Sequence, residues 1–187
     1  MTISRYIFKL VIGGAGGVGK TTMLHRYLHN AFMPRSTMTI GVAFHSHEIL
    51  RNGAKINLSL WDLGGQERFR FMQPSYVAGA KAGILFFDMS RLDTITQVKE
   101  WADMFRLQAA PEIPIILAGG KMDLVHPDML DEVNNYAKSV VTKLGLSCYM
   151  PTSSKTGTNI SEMFNHIVDV LVSQINQVKA VAAASID

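Results

Sequence analysis

Gly14-Ala15-Gly16-Gly17-Val18-Gly19-Lys20-Thr21 is the stretch that decides the fold. It fills every fixed position of the phosphate-binding pattern Gly-x4-Gly-Lys-Ser/Thr. It follows a nearly unbroken apolar run, Tyr6 to Ile12, interrupted only by Lys9, and precedes a helical stretch from Thr22 to His29. A strand, a glycine loop and a helix in that order are the setting the pattern needs. The glycines let the backbone curl until successive N–H groups face one anion. The helix that starts at the loop's end adds its positive dipole end. Lys20 is expected to reach the β- and γ-phosphates, and the Thr21 hydroxyl to ligate Mg²⁺, with Thr22 beside it in the nucleotide site. A glycine-rich turn without chemistry explains neither Lys20 nor Thr21. The loop alone does not choose between ATP and GTP.

Working outward, further apolar runs lie at Ile84 to Phe87 and Ile113 to Ala118, as expected for strands buried on both faces of a parallel sheet. Pro114 sits near the start of its run, where a missing N–H is tolerable. Ile160, Met163, Phe164, Ile167, Val170 and Leu171 follow helical spacing, as do Ile95, Val98, Trp101, Ala102 and Phe105. Trp101 and Phe105 read as core. One region breaks the alternation: Val42 to Leu50 and Ile56 to Trp61 both read as strands, joined through Arg51-Asn52-Gly53. Asn-Gly favours the type I′ turn of an antiparallel hairpin. The expectation is a mainly parallel sheet with one antiparallel strand and helices on both faces.

Size and composition agree. A chain of 187 residues with 48% hydrophobic and 18% charged residues suits one compact domain with its own core. A net charge of +3 without a basic run argues against nucleic acid. The single cysteine, Cys148, permits no internal disulfide and fits a cytoplasmic setting. No secretion signal opens the chain, and no apolar run approaches the roughly 20 residues of a membrane span. The sequence ends Ala184-Ser185-Ile186-Asp187 with no cysteine to prenylate, so no intrinsic lipid anchor is seen. Residues 1–178 read as a single domain and the Ala-rich 179–187 as a short flexible tail.

A second cluster completes the phosphate site. Ile56, Leu58 and Leu60 alternate toward Trp61-Asp62-Leu63-Gly64-Gly65-Gln66-Glu67. An acidic residue at the end of such a strand, here Asp62, can hold Mg²⁺ through water. Gly65 lets its N–H approach the γ-phosphate, and Gln66 is placed to orient an attacking water. Two histidine pairs, His25 with His29 and His45 with His47, have spacings that a metal could use, but packed or exposed histidines are the plainer explanation.

With these motifs in order, the sequence resembles the Ras superfamily of small GTPases. The match runs through Gly14–Thr21, Thr39, Asp62–Gln66, Lys121–Asp123 and Ser153–Lys155, and within the superfamily it is most similar to the Rab branch. Thr39-Ile40-Gly41-Val42-Ala43-Phe44 resembles the Rab switch I signature, with Ala43 where an acidic residue is usual. Trp61-Asp62 and Gln66-Glu67-Arg68-Phe69 resemble Rab switch II, although Gly64 stands where Rab proteins usually carry Ala. The resemblance implies the P-loop G-domain fold, with six strands. It implies that Thr39 closes onto Mg²⁺ and the γ-phosphate, that Phe32 packs against the guanine, and that Phe44, Trp61 and Tyr76 form an aromatic triad facing effectors. It also implies a cytoplasmic, monomeric switch that meets effectors and regulators through switch I (about 35–44) and switch II (about 62–76). Membrane traffic is not carried over without a prenyl cysteine.

The base site follows the run ending at Ala118. Asp123 of Gly119-Gly120-Lys121-Met122-Asp123 can accept from guanine N1–H and its exocyclic amine, a donor pair that adenine lacks. The Lys121 stem can lie along the base. Pro151-Thr152-Ser153-Ser154-Lys155 resembles the family's Ser-Ala-Lys loop, and the Ser154 N–H is expected to meet guanine O6. The family pattern is Asn-Lys-x-Asp, so Gly120 removes an amide that ties the base to the phosphate loop. Losing such a tie costs about 1–3 kcal/mol if nothing replaces it.

The expected reaction is attack of water on the γ-phosphoryl group of GTP, giving GDP. Lys20, Thr39 and Gln66 are the catalytic set. Gly16 leaves room for an arginine supplied by an activating protein, worth about 10³ to 10⁵ in rate; Arg35 is the candidate for the same role within the chain, with an exposed loop charge as the plainer reading. Two other readings compete: a guanine-nucleotide scaffold or dimerisation module that barely turns over, and an ATP-dependent P-loop enzyme, against which Asp123 stands.

Overall fold

The computed structural model describes residues 4–34, 38–51 and 53–184. Its six strands are β1 (Arg5–Gly14), β2 (Val42–Arg51), β3 (Ala54–Leu63), β4 (Ala82–Asp88), β5 (Ile115–Gly120) and β6 (Cys148–Pro151). The helices are α1 (Lys20–His29), α2 (Gln73–Val77), α3 (Val98–Gln108), α4 (Leu130–Leu144) and α5 (Ile160–Ala184). The sheet order is β2-β3-β1-β4-β5-β6, with every neighbouring pair parallel except β2 and β3. This is the mainly parallel sheet expected from the apolar runs, and β2 is its one antiparallel strand.

Parallel strands need crossovers, and helices supply them on both faces. One apolar cluster joins Leu10, Ile12, Leu58 and Leu60 to Met23 of α1 and to Phe164 and Ile167 of α5. The other joins Val11, Leu85 and Phe87 to Trp101 and Phe105 of α3 and Val133 of α4. Strand β4 is buried at every residue, which is why it reads as a continuous apolar run. All the crossovers return to one edge, so the C-terminal ends of β1, β3, β4 and β5 and the loops that follow converge there.

One expectation is corrected and two fall on residues outside those described. Ile95 lies in a 3-10 turn, Leu92–Gln97, and the α-helix begins only at Val98. The Asp88 N–H bonds the Thr94 hydroxyl, and Thr94 in turn donates to Arg91 O, which holds the tighter turn. Helix α5 runs on to Ala184, with Lys179 bonded to Tyr6 Oη at 3.1 Å. Arg51 pairs with Ala54 across the hairpin, and Gly53 has φ 72°, but the Asn52 half of the turn lies outside the described residues. Arg35 also lies outside them. No helix among the described residues is long and apolar enough to cross a membrane.

Candidate functional site

At the converging edge is a cleft of about 490 Å³ lined by the phosphate loop from Gly16 onward, by residues 64–66, and by Lys121 and Asp123. Strand β1 ends at Gly14 and α1 starts at Lys20, so the loop delivers its backbone N–H groups directly to a helix N-terminus. Gly19 holds φ 105° at the cap, a conformation L side chains rarely adopt. Lys20 is buried and donates to Gly14 O at 2.8 Å and Ala15 O at 2.9 Å. Burial pushes its ammonium down to about 8, with Asp62's attraction opposing that shift.

Below the loop, three oxygens meet. Thr21 Oγ1 donates to Asp62 Oδ2 at 2.5 Å and lies 2.7 Å from Thr39 Oγ1, which itself reaches Asp62 Oδ2 at 3.3 Å. Asp62 is fully buried, and its Oδ1 has no hydrogen-bond partner. Burial raises its pKa, while Thr21, Lys20 and Thr39 pull it down; the balance is upward. A buried carboxylate oxygen left unpaired beside two hydroxyls is a hard-oxygen donor set, and it fits Mg²⁺ better than a softer metal. Among the described residues no group of three or more His, Cys, Asp or Glu could hold a metal. The rings of His25 and His29 pack 4.7 Å apart, and His47 meets Tyr27 edge-on at 5.1 Å.

Gly65 is pressed against the phosphate loop: a Cβ there would come within 2.5 Å of Gly14 O and Gly16 N. At Gly64 a Cβ would come within 2.6 Å of Thr39 O, so the glycine admits the backbone of residues 39–41, and the Gly64 N–H bonds Gly41 O at 2.8 Å. Gly64 O accepts from buried Gln73 Nε2 at 2.8 Å, which carries the link into α2. Gln66 lines the cleft, with its Oε1 accepting from Arg68 Nε at 2.6 Å and its Nε2 against Met38 Sδ at 3.3 Å. A Cβ on Gly16 would sit 3.7 Å from Gly65 O and touch nothing nearer, so the loop is open on that side. Outside the cleft, Trp61 joins Phe44 (centroids 5.5 Å apart) to Tyr76 (6.0 Å).

At the other end of the cleft, Ser153 is buried and donates to Asp123 Oδ1 at 2.6 Å, and Asp123 lines the cleft. Ser153 therefore positions Asp123, whereas Ser154, Lys155 and Phe32 line the cleft themselves. Lys121 Nζ donates to Gly17 O at 3.0 Å, joining the base loop to the phosphate loop.

Three residues of this site escaped the sequence reading. Asp88, fully buried at the end of β4, pairs with Lys121 at 2.7 Å and Arg91 at 3.1 Å. Burial raises its pKa, but bonds from Lys121, Ser90 and Arg91 more than offset it, so the carboxyl titrates below its ordinary value. An acid closing an otherwise apolar run was the available signal. Arg26 of α1 donates to Ser154 O and Lys155 O, both at 2.7 Å, and so holds the loop that follows β6. Phe86 lines the floor of the cleft. Cys148 is half-buried, with burial pushing its thiol pKa up, so it has the character of a packed residue rather than a nucleophile.

A family model described as Ras family matches residues 9–173. The chain is 36% identical over 166 residues to a putative ras-related protein Rab-5B of Dictyostelium discoideum, covering 88% of this chain and 75% of that one. It is 36% identical over 178 residues to the ras-related protein Rab11A of Nicotiana tabacum, covering 95% and 81%. To the human ras-related protein Rab-27B it is 32% identical, covering 92% and 83%.

Proposed function

The chain belongs to the Ras family, as a Rab-like small GTPase that binds guanine nucleotide and meets regulators and effectors, and from that premise we propose how its own residues work. The cleft would take GTP or GDP, and the oxygens of Thr21, Thr39 and Asp62 would hold Mg²⁺ there. The single observation that carries the metal part is the unpaired, buried Asp62 Oδ1.

Held there, Mg²⁺ would supply positive charge to offset that of the phosphates. The chain supplies the rest. Lys20 exchanges its two carbonyl partners for phosphate oxygens, whose negative charge favours its ammonium form. Backbone N–H groups of residues 16–21 and of Gly65 face the phosphates. Gln66 leaves Arg68 and holds the attacking water by its carboxamide. Asp123, oriented by Ser153, reads guanine N1–H and its amine, and the Ser154 N–H reads O6. Because Thr39 touches Thr21 and Asp62 while Gly41 and Gly64 share a hydrogen bond, loss of the γ-phosphate loosens switch I and switch II together. The exposed Ile40 and Phe44, with Trp61 and Tyr76, form the face that effectors read in the GTP state. The protein acts as a monomer. Competition tests the base assignment: a bound fluorescent GDP analogue is displaced by excess GDP and stays bound in excess ATP; displacement by ATP would reject it.

A further inference from the structure

The base loop carries Gly120 where the resembling family has a side-chain amide, and the structure gives a reason found in another strand. A Cβ at Gly120 would lie 2.5 Å from Phe86 Cε1, 3.1 Å from Phe86 Cδ1 and 3.2 Å from Val18 O. Gly120 is absent from the residues with positive φ, so space alone demands the glycine there. The obstacle is not a flexible side-chain end. Phe86 is 1% exposed and belongs to one apolar cluster with Val18, Met23 and Ala118. A side chain at 120 would point between β4 and the phosphate loop, and the Phe86 ring already stands in that gap.

We propose that Phe86 and Gly120 are a matched pair that sets how fast this chain releases guanine nucleotide. The ring braces the phosphate loop from below and bars any amide from spanning the base loop and that loop. Lys121, bonded to Gly17 O and held by buried Asp88, is then the side-chain tie between the two loops. A close-packed aromatic supports the loop but cannot bond a base edge, so release is faster than an amide in this place would allow.

This rests on the guanine reading, and the test separates the two. Release of a fluorescent GDP analogue at fixed Mg²⁺ is measured for wild type, Gly120→Asn, Phe86→Val and the double variant. Unfolding midpoints of the nucleotide-free proteins are measured alongside, with Gly120→Ala in both backgrounds as the mildest intrusion. Gly120→Asn releases about 10-fold faster than wild type, because the amide cannot enter without displacing the ring. In the double variant the amide is admitted, and release falls about 10-fold below wild type. Gly120→Ala lowers the midpoint when Phe86 is present and leaves it unchanged in the Phe86→Val background. Slower release from Gly120→Asn alone, or midpoints that simply add, would overturn the pairing. If wild type holds no guanine nucleotide, the guanine reading falls, and the midpoints still decide whether positions 86 and 120 are coupled.

Discussion

Replacing Asp62 by Asn should move stability and nucleotide retention in opposite directions. Asp62 is fully buried, has one oxygen without a partner, and has its pKa raised by burial despite Thr21 and Lys20. A carboxyl whose folded pKa is raised contributes stability only at low pH and loses it as pH rises through that value, so at neutral pH its ionised form opposes folding. An amide of the same shape relieves the buried charge. It still leaves one polar atom unpaired and surrenders the attraction of Lys20, so we expect a net gain of about 1 kcal/mol in the nucleotide-free protein. For a chain of this size that is roughly 2–4 °C in unfolding midpoint. With nucleotide the sign reverses. A charged acceptor lost from the cation's surroundings costs about 1.5–3 kcal/mol, equivalent to about 10- to 150-fold faster GDP release in Mg²⁺. The assay is release of a fluorescent GDP analogue with Mg²⁺ and with EDTA, beside thermal unfolding without nucleotide. Chelation should accelerate release from wild type and leave Asp62→Asn almost unchanged. A variant that keeps the full effect of Mg²⁺, or that is less stable than wild type without nucleotide, refutes the reasoning.

Arg26→Ala should speed GDP release about 5- to 30-fold, since two charge-assisted bonds to the Ser154 and Lys155 carbonyls are lost at a partly solvated site. Arg26→Lys should recover little of this, because one ammonium cannot span both carbonyls; full rescue in the same release assay would count against the role. Lys20, pushed down to about 8 by burial, binds its proton less well in the folded than in the unfolded chain. Nucleotide-free stability should therefore rise between about pH 8 and the ordinary lysine value near 10.4. Lys20→Met should flatten that part of the pH profile in chemical unfolding, and an unchanged slope would contradict it.

The phosphate loop was legible in the sequence because its chemistry is local: eight consecutive residues carry the curl of the loop together with Lys20 and Thr21. The hairpin of β2 and β3 was legible for the same reason, its two alternating stretches being separated in the sequence by Asn52-Gly53. The base end was legible only in part. Asp123 stood out by spacing, but the ring that compensates for Gly120 lies in β4, where Phe86 reads as one more buried apolar residue. Asp88 and Arg26 act on loops 33 and 128 residues away, and no periodicity reports such distances. An Ala-rich end without charge pattern reads equally as helix or as tail, so the sequence alone does not mark how far α5 runs.

The most direct test is single-turnover hydrolysis of GTP by wild type and by Gln66→Leu, both loaded to the same extent with GTP and Mg²⁺. The account predicts slow phosphate release from wild type and at least about 10-fold slower release from the variant, with nucleotide binding unchanged. Equal rates in the two proteins would contradict the assignment of the attacking water to Gln66.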